Sequence, residues 1–362
     1  MRLRRVLLFL AIAAAQFALY EAALRIWGHS EAAPAFQALF IPDPIVGYRL
    51  RPNARTRFVT AEFATDIAIN GQGVRDDRDI GPKPPGEKRI VILGDSLVLS
   101  VQVPRAQTFC QLLEDRLNHD AGPVRYRVIN AGVQGYGPVE ERLFFHEIAR
   151  AFQPDLVIET IFVGNDAEEA VTSAPRLRGA ARPMGEALSD SIVTRLRRLV
   201  RRSMVLQVIR LRIVSVTDRL SNVAAPPEPP LQSYAATPAP RIAEGLRISR
   251  ESVEAIVAEA AASGARTMVM LMPARFQVDD TDYGHLKQAV EQSHGVLVRD
   301  GATQRFDEAL APVAVPRFDA LPALKAALPG PDVFFQQTVH LTPRGHAIVA
   351  QALDAFIRRQ GL

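Results

Sequence analysis

Cysteine is almost missing from this 362-residue chain: Cys110 stands alone. That excludes an internal disulfide framework and any zinc cluster built on cysteines. Its setting, Thr108-Phe109-Cys110-Gln111-Leu112-Leu113, reads as a place for a buried, inert thiol. No G-x-G-x-x-G follows the first strand of the alternating region, and Gly132 to Gly137 carries its glycines in the opposite order, which excludes a dinucleotide site. Internal repeats are absent too. Charge is not in excess: 23% of residues are charged and the net charge is +4, while 48% are apolar. Those proportions describe a globular chain able to bury a sizeable core, not a disordered one. The basic residues are mostly arginine and suit an anionic neighbour, but they are not interleaved with aromatics, so nucleic acid is not implied.

The N-terminus is the first positive signal. Arg2, Arg4 and Arg5 precede an apolar stretch from Val6 to about Trp27, interrupted by Gln16, Glu21 and Arg25. A helix of roughly 20 residues spans a bilayer core. Residues 1–27 are therefore expected to be a transmembrane signal anchor, with the remainder exported to the periplasm or extracytoplasmic space. A cleaved signal peptide, with Val6 to Ile12 as its apolar core and Ala13-Ala14-Ala15 as the cleavage site, is the alternative. The helical pattern continues unbroken through Tyr20 to Leu24 and favours the anchor.

Residues 28–87 are expected to form a small accessory segment with β character at Phe58-Val59-Thr60 and Phe63 to Ile69, closed off by Pro82, Pro84, Pro85 and Gly86. From residue 88 to 362, strands alternate with helices. Strands are expected at Arg89–Leu93, Tyr126–Asn130, Leu156–Val163, Thr267–Met272 and near Val315–Phe318. Helices are expected at Phe109–His119, Val139–Ala151, about Ile242–Ser263 and Pro343–Arg359. Such alternation predicts an α/β chain, a parallel sheet with helices on both faces. An insertion at about 170–240 interrupts it. Its arginine-rich part, 190–220, reads either as a helix on an anionic membrane face or lid, or as an ordinary solvated helix.

Four loop signals stand at strand ends or a helix entry. Strand Arg89–Leu93 runs into Gly94-Asp95-Ser96, where a serine at the carboxyl edge of a sheet is exposed and its own N–H can face an oxyanion. Helix capping by Asp95 or Ser96 is the plain alternative. The second strand ends in the glycine-rich turn Asn130 to Gly137, and the third in Gly164-Asn165-Asp166, where the asparagine amide can donate into the same space or merely cap a helix. Thr342 as N-cap and Pro343 at the first helical position open the last helix, leaving His340 on the loop before it. His346 lies one turn into that helix, and His146, His285 and His294 read as surface or packing residues.

On these residues the chain resembles the SGNH (GDSL-like) hydrolase superfamily, and Tyr48-Arg49-Leu50, Asn70 to Arg75 and Arg89 to Asp95 resemble the opening of a membrane-anchored bacterial branch of it. Gly94-Asp95-Ser96 matches the first block, Gly135 the second, Asn165 the third and His340 the fifth. The resemblance implies a flavodoxin-like, three-layer α/β/α sandwich. It also implies Ser96 as nucleophile, His340 as base, and an oxyanion hole of Ser96, Gly135 and Asn165, with no metal or other cofactor. An α/β-hydrolase is disfavoured, because Leu97-Val98 follows Ser96 and leaves G-x-S-x-G incomplete. One position departs from the family: where an aspartate should precede the histidine, this chain has Gln337 and Thr338. Three readings stay open. His340 is oriented by a backbone carbonyl, Gln337 or Thr338; or Asp332 or Asp319 reaches in; or the site is weak or inactive. The expected function is that of a serine esterase removing short acyl groups such as O-acetyl from envelope or exported carbohydrate. A lipase or lysophospholipase, and a non-catalytic polysaccharide-binding or assembly protein, are the alternatives.

Overall fold

The computed structural model of this chain describes residues 36–60, 62–119, 122–179, 229–292, 295–330, 332–336 and 338–361, with 4, 5, 12 and 15–22 of the N-terminal stretch. Most of the expected anchor, the arginine-rich stretch 190–220, Gln337 and His294 lie outside the described residues. Among the described residues no helix is long and apolar enough to cross a membrane.

Two antiparallel hairpins come first: β1 (Phe40–Asp43) with β2 (Gly47–Leu50), and β3 (Arg55–Val59) with β4 (Ala64–Ala68). The main sheet follows, with β5 (Glu87–Gly94), β6 (Arg125–Gly132), β7 (Leu156–Phe162), β8 (Arg266–Met272) and β9 (Arg317–Asp319), all parallel and ordered β6-β5-β7-β8-β9. Counted within the sheet this is 2-1-3-4-5, the flavodoxin-like order. The helices are α1 (Ser96–Leu99), α2 (Phe109–His119), α3 (Pro138–Glu147), α4 (Asp166–Ser173), α5 (Pro240–Ala262), α6 (Arg275–Val278), α7 (Asp280–Gln292), α8 (Gly301–Leu310), α9 (Leu321–Ala326) and α10 (Pro343–Arg359).

The strands read as continuous apolar runs because both faces are covered. Ile90 and Ile92 of β5 pack with α2, α8, α9 and α10 through Phe109, Leu113, Phe306, Leu324 and Leu353. Val91 and Leu93 face the other way, onto Phe144 and Phe145 of α3 and Ile256 of α5. The expected parallel sheet with helices on both faces is thus what the chain forms. The accessory residues Leu39, Val46, Leu50, Ile67, Ile69 and Val74 bury into that second core. Each fully buried aliphatic side chain contributes roughly 1.5–3 kcal/mol, so the hairpins are held to the sheet by apolar contact. The β1–β2 hairpin and the helices α6 to α9 were not expected from periodicity. The two hairpin strands, α6 and α9 are too short to show a period, and α7 buries only Val290, which leaves it little apolar pattern to read.

One residue breaks the apolar rule of the central strand. Glu159 of β7 is fully buried, as is Glu141 of α3 beside it. Burial is the largest cause raising both carboxyls above the usual range, and the charge on Glu159 further opposes ionisation of Glu141. An acid whose pKa is raised on folding holds its proton more tightly in the native state. Its contribution is therefore intact below the ordinary carboxylate pKa and is lost as pH climbs through the raised value. Glu159→Gln should consequently remove a part of the wild-type stability that is lost between about pH 5 and about pH 8, by roughly 1.4 kcal/mol for each unit of raised pKa removed, read as the difference in melting temperature between variant and wild type across that range. A difference that does not change with pH would contradict the assignment.

Candidate active site

Strands β5, β6 and β7 end side by side at the point where the sheet order reverses, the usual place for a site in an open α/β sheet. After Gly94, Asp95 caps α1: its carboxylate accepts from Leu97 N–H at 2.7 Å. Capping therefore falls to Asp95 and leaves the Ser96 hydroxyl out of that role. Ser96 Oγ donates to Asp95 Oδ2 at 3.5 Å, and the residue is 8% exposed. Burial pushes the Asp95 carboxyl up to about 6, against the stabilising bond from Leu97.

The short helix carrying Ser96 is pinned from β6. Asn130 Nδ2 donates to Val98 O at 2.7 Å while its Oδ1 accepts from Gly132 N–H at 3.1 Å. Gly132 lies so close that a Cβ there would sit 2.4 Å from Leu99 N, so any larger residue displaces the helix that carries Ser96. From the accessory segment, the buried Arg75 guanidinium donates to the carbonyls of Leu99 and Val103 at 2.6 Å and also to Ser100.

The loop after β6 holds Gly135 at φ +70, a conformation glycine adopts without strain. The Tyr48 hydroxyl donates to Gln134 O at 2.7 Å. At the end of β7, Asn165 donates from Nδ2 to Glu169 Oε1 at 2.7 Å, and its Oδ1 is buried without a hydrogen-bond partner among the described residues. Neither Asn165 nor Asp166 acts as a side-chain helix cap; Asp166 Oδ2 instead accepts from Phe162 N–H at 2.8 Å. The Glu169 carboxyl is pushed up to about 8 by burial and then by the charges of Asp95 and Glu140. Asp95 acts electrostatically on both Glu169 and Tyr48, so the Ser96, Gly135 and Asn165 loops share one neighbourhood.

His340 sits on the loop before α10. Its N–H donates to Thr338 Oγ1 at 3.3 Å and its carbonyl accepts from Phe335 N–H at 2.9 Å. Both ring nitrogens are shut off from water without a hydrogen-bond partner among the described residues. The bond to the Ser96 hydroxyl is therefore not closed here. Thr342 caps α10, accepting from Gly345 N–H at 3.3 Å, with Pro343 at the first position. His346 points inward, its Nδ1 accepting from Phe109 N–H at 3.2 Å, close enough to His340 for the two to interact electrostatically.

Neither candidate carboxylate reaches the His340 ring. Asp332 is exposed and accepts from the Gln336 side chain, while Asp319 Oδ1 accepts from Leu321 N–H at 2.8 Å. Thr338 meets the His340 backbone, not the imidazole. Asn130, Glu169, Tyr48 and Arg75 were missed as site residues in the sequence. Glu169 had a readable signal, standing four positions after Asn165 on one helix face. Arg75 and Tyr48 stand in stretches marked only by the family resemblance, and no local spacing pointed to their partners, which are distant in the chain.

A cavity of about 820 Å³ opens beside Asn165, walled by Phe162, Tyr234, Phe276, Leu286 and Val339. Thr338 and Val339, just before His340, belong to its lining. Arg275 pairs with Asp282 at its margin.

No protein-family model matches the chain, and no curated protein does. Solved structures similar to it include TesA, at 13% identity and TM-score 0.42, covering 75% of this chain and 99% of that one. A catalytic mutant of Axe2, an acetylxylan esterase from Geobacillus stearothermophilus, is similar at 12% identity and TM-score 0.41, covering 75% and 94%. A two-domain esterase active on acetylated mannans is similar at 11% and 0.42, covering 76% and 50%. Likenesses this faint leave the assignment of a function to the chain's own residues.

Burial alone lowers the His340 pKa to about 4, and among the described residues no carboxylate raises it again. The imidazole is then neutral, and able to take a proton, at any pH well above that value. Labelling of Ser96 by a fluorophosphonate should keep its rate from about pH 7.5 to about pH 5.5 and fall only near pH 4. A midpoint between about 6 and 7 would show that the ring is not held in this buried setting when it acts, since that is the ordinary range of a histidine in water.

Proposed function

We propose that this chain is a serine ester hydrolase of the SGNH type. The observation that carries the reading is the arrival of Ser96, Gly135 and Asn165 at one sheet edge from three adjacent parallel strands. In this reading His340 swings onto Ser96 and removes its proton as the hydroxyl attacks an ester carbonyl. The oxyanion is held by the N–H groups of Ser96 and Gly135 and by the Asn165 amide, each donor being worth around 3 kcal/mol of barrier. Collapse expels the alcohol, which takes its proton from His340. Water then attacks the acyl-serine with His340 again as base, giving the free acid and Ser96. A neutral His340 with no carboxylate partner among the described residues suits a slow enzyme, since the imidazolium formed at the transition state lacks its usual counter-charge there.

For the substrate, the proposal is a short acyl group such as O-acetyl on an envelope or exported carbohydrate. The basic and then apolar N-terminal stretch supports a place at the inner membrane with the catalytic domain on the periplasmic side. One observation favours the second reading, a lipase or lysophospholipase: the cavity beside Asn165 is walled by three aromatic rings and two aliphatic side chains, far more apolar volume than an acetyl group fills.

Nitrophenyl esters of increasing chain length separate the two. The primary reading expects acetate to be turned over fastest, and a maximum at octanoate or longer would replace it with the second. In either case Ser96→Ala should abolish turnover and fluorophosphonate labelling, and Asn165→Ala should lower kcat by about 10²–10³. A wild-type protein that never labels with the fluorophosphonate refutes the serine mechanism.

A further inference from the structure

We propose that Tyr48, on the accessory hairpin β1–β2, is a positioning residue for the oxyanion site: its hydroxyl locks the Gln134–Gly135 peptide so that the Gly135 N–H stays turned toward the reacting oxygen. This rests on the serine esterase reading above.

The argument begins with the peptide bond. It is planar and trans, so the carbonyl oxygen of Gln134 and the N–H of Gly135 point in opposite directions from one rigid plate. Tyr48 Oη donates to that carbonyl at 2.7 Å. Fixing the oxygen on the hairpin side therefore sends the N–H away from the hairpin. That N–H has no acceptor among the described residues. A glycine at φ +70 offers little resistance of its own to a flip of this plate. The restraint has to come from outside the loop.

The tyrosine is itself held. Its ring stands edge-on to Phe40 and to Tyr136, with centroids 5.8 and 5.5 Å away. The fully buried Tyr136 returns a hydrogen bond from its own hydroxyl to the Tyr48 carbonyl. The two tyrosines thus exchange bonds across Gly135, one through a side chain reaching the loop and one through a loop side chain reaching the hairpin. Space is filled as well: a Cβ on Gly135 would lie 3.0 Å from Tyr48 Oη. The hairpin is anchored by Arg176, which donates to Val46 O at 3.0 Å and pairs with Glu140 at 2.9 Å. Around the phenol stand Glu140, Glu169 and Asp95, with Arg176 opposing them; burial and these carboxyls raise its pKa, so it remains a donor throughout the working pH range.

Tyr48 is one of three such contacts from the accessory segment. Arg75 holds the carbonyls behind Ser96, and Glu62 accepts from Gln336 N–H at 2.7 Å on the loop that leads to His340, where Phe63 also meets Phe335. Of the three, only Tyr48 grips the peptide unit that would bind the oxyanion.

The test uses the full chain with nitrophenyl acetate and nitrophenyl octanoate. Tyr48→Phe keeps the ring and removes the donor. The expected result is a kcat lower by about 10- to 100-fold on both esters, the cost of a misaimed donor, with KM within about twofold of wild type. Val46→Ala, in the same hairpin and more deeply buried than Tyr48, controls for loosening of the hairpin. It should lower the melting temperature and leave kcat within about twofold. Tyr48→Phe with wild-type kcat would overturn the inference, and so would equal kcat losses in the two variants at equal loss of melting temperature. Both outcomes leave the esterase reading standing, because the wild type turns over. A wild type that neither turns over the esters nor labels at Ser96 brings down the esterase reading and this inference together.

Discussion

Parallel pairing delivers every strand of the main sheet to the same edge, and each group assigned to the site hangs from that edge. β5 ends at Gly94, β6 at Gly132 and β7 at Phe162, three neighbours in register. Because the order reverses at β5, the loops that leave β6 and β7 flank the one carrying Ser96. Asn130 and Gly132 then turn nearness into contact, since the bond to Val98 O and the missing Cβ let β6 lie against the Ser96 helix. An antiparallel arrangement of the same strands would scatter these loops to two edges.

The electrostatics around that edge favour neutral groups. Asp95, Glu140, Glu141, Glu159, Asp166 and Glu169 are all raised toward protonation, with burial the leading cause each time. His340 is lowered for the same reason. A site with few fixed charges asks its dipoles to meet the developing negative charge of an oxyanion, and hydrogen-bond donors aimed in advance count for more in such surroundings. In the proposed esterase the aim of the Gly135 N–H and the Asn165 amide would therefore matter more than any single charge. Glu169, bonded to Asn165, links that aim to the protonation of a buried acid.

The accessory hairpins belong to this arrangement and not merely to the surface. Leu39, Val46 and Leu50 share a core with Val91 and Leu93 of β5, which fixes the hairpins on the sheet face. From there Tyr48, Glu62 and Arg75 reach the loops of Gly135, His340 and Ser96. Apolar burial sets their placement, and polar contacts use it.

By itself the sequence determined the alternation of strands and helices, the two-faced apolar strands, and the loop residues Ser96, Gly135, Asn165 and His340 as candidates. These are local matters: strand period, a glycine-rich turn, and a Thr-Pro helix start that the structure finds at Thr342-Pro343. Tertiary structure alone decided the rest. Glu159 hides in an otherwise apolar strand, and its burial follows only from the helices above it. Asp332 and Asp319 were open candidates along the chain, yet their carboxylates are taken by Gln336 and Leu321. Tyr48 lies 86 positions from the carbonyl it holds. A hydrogen bond of that span leaves no mark in local spacing, because what brings its ends together is the packing of two separate elements onto one sheet.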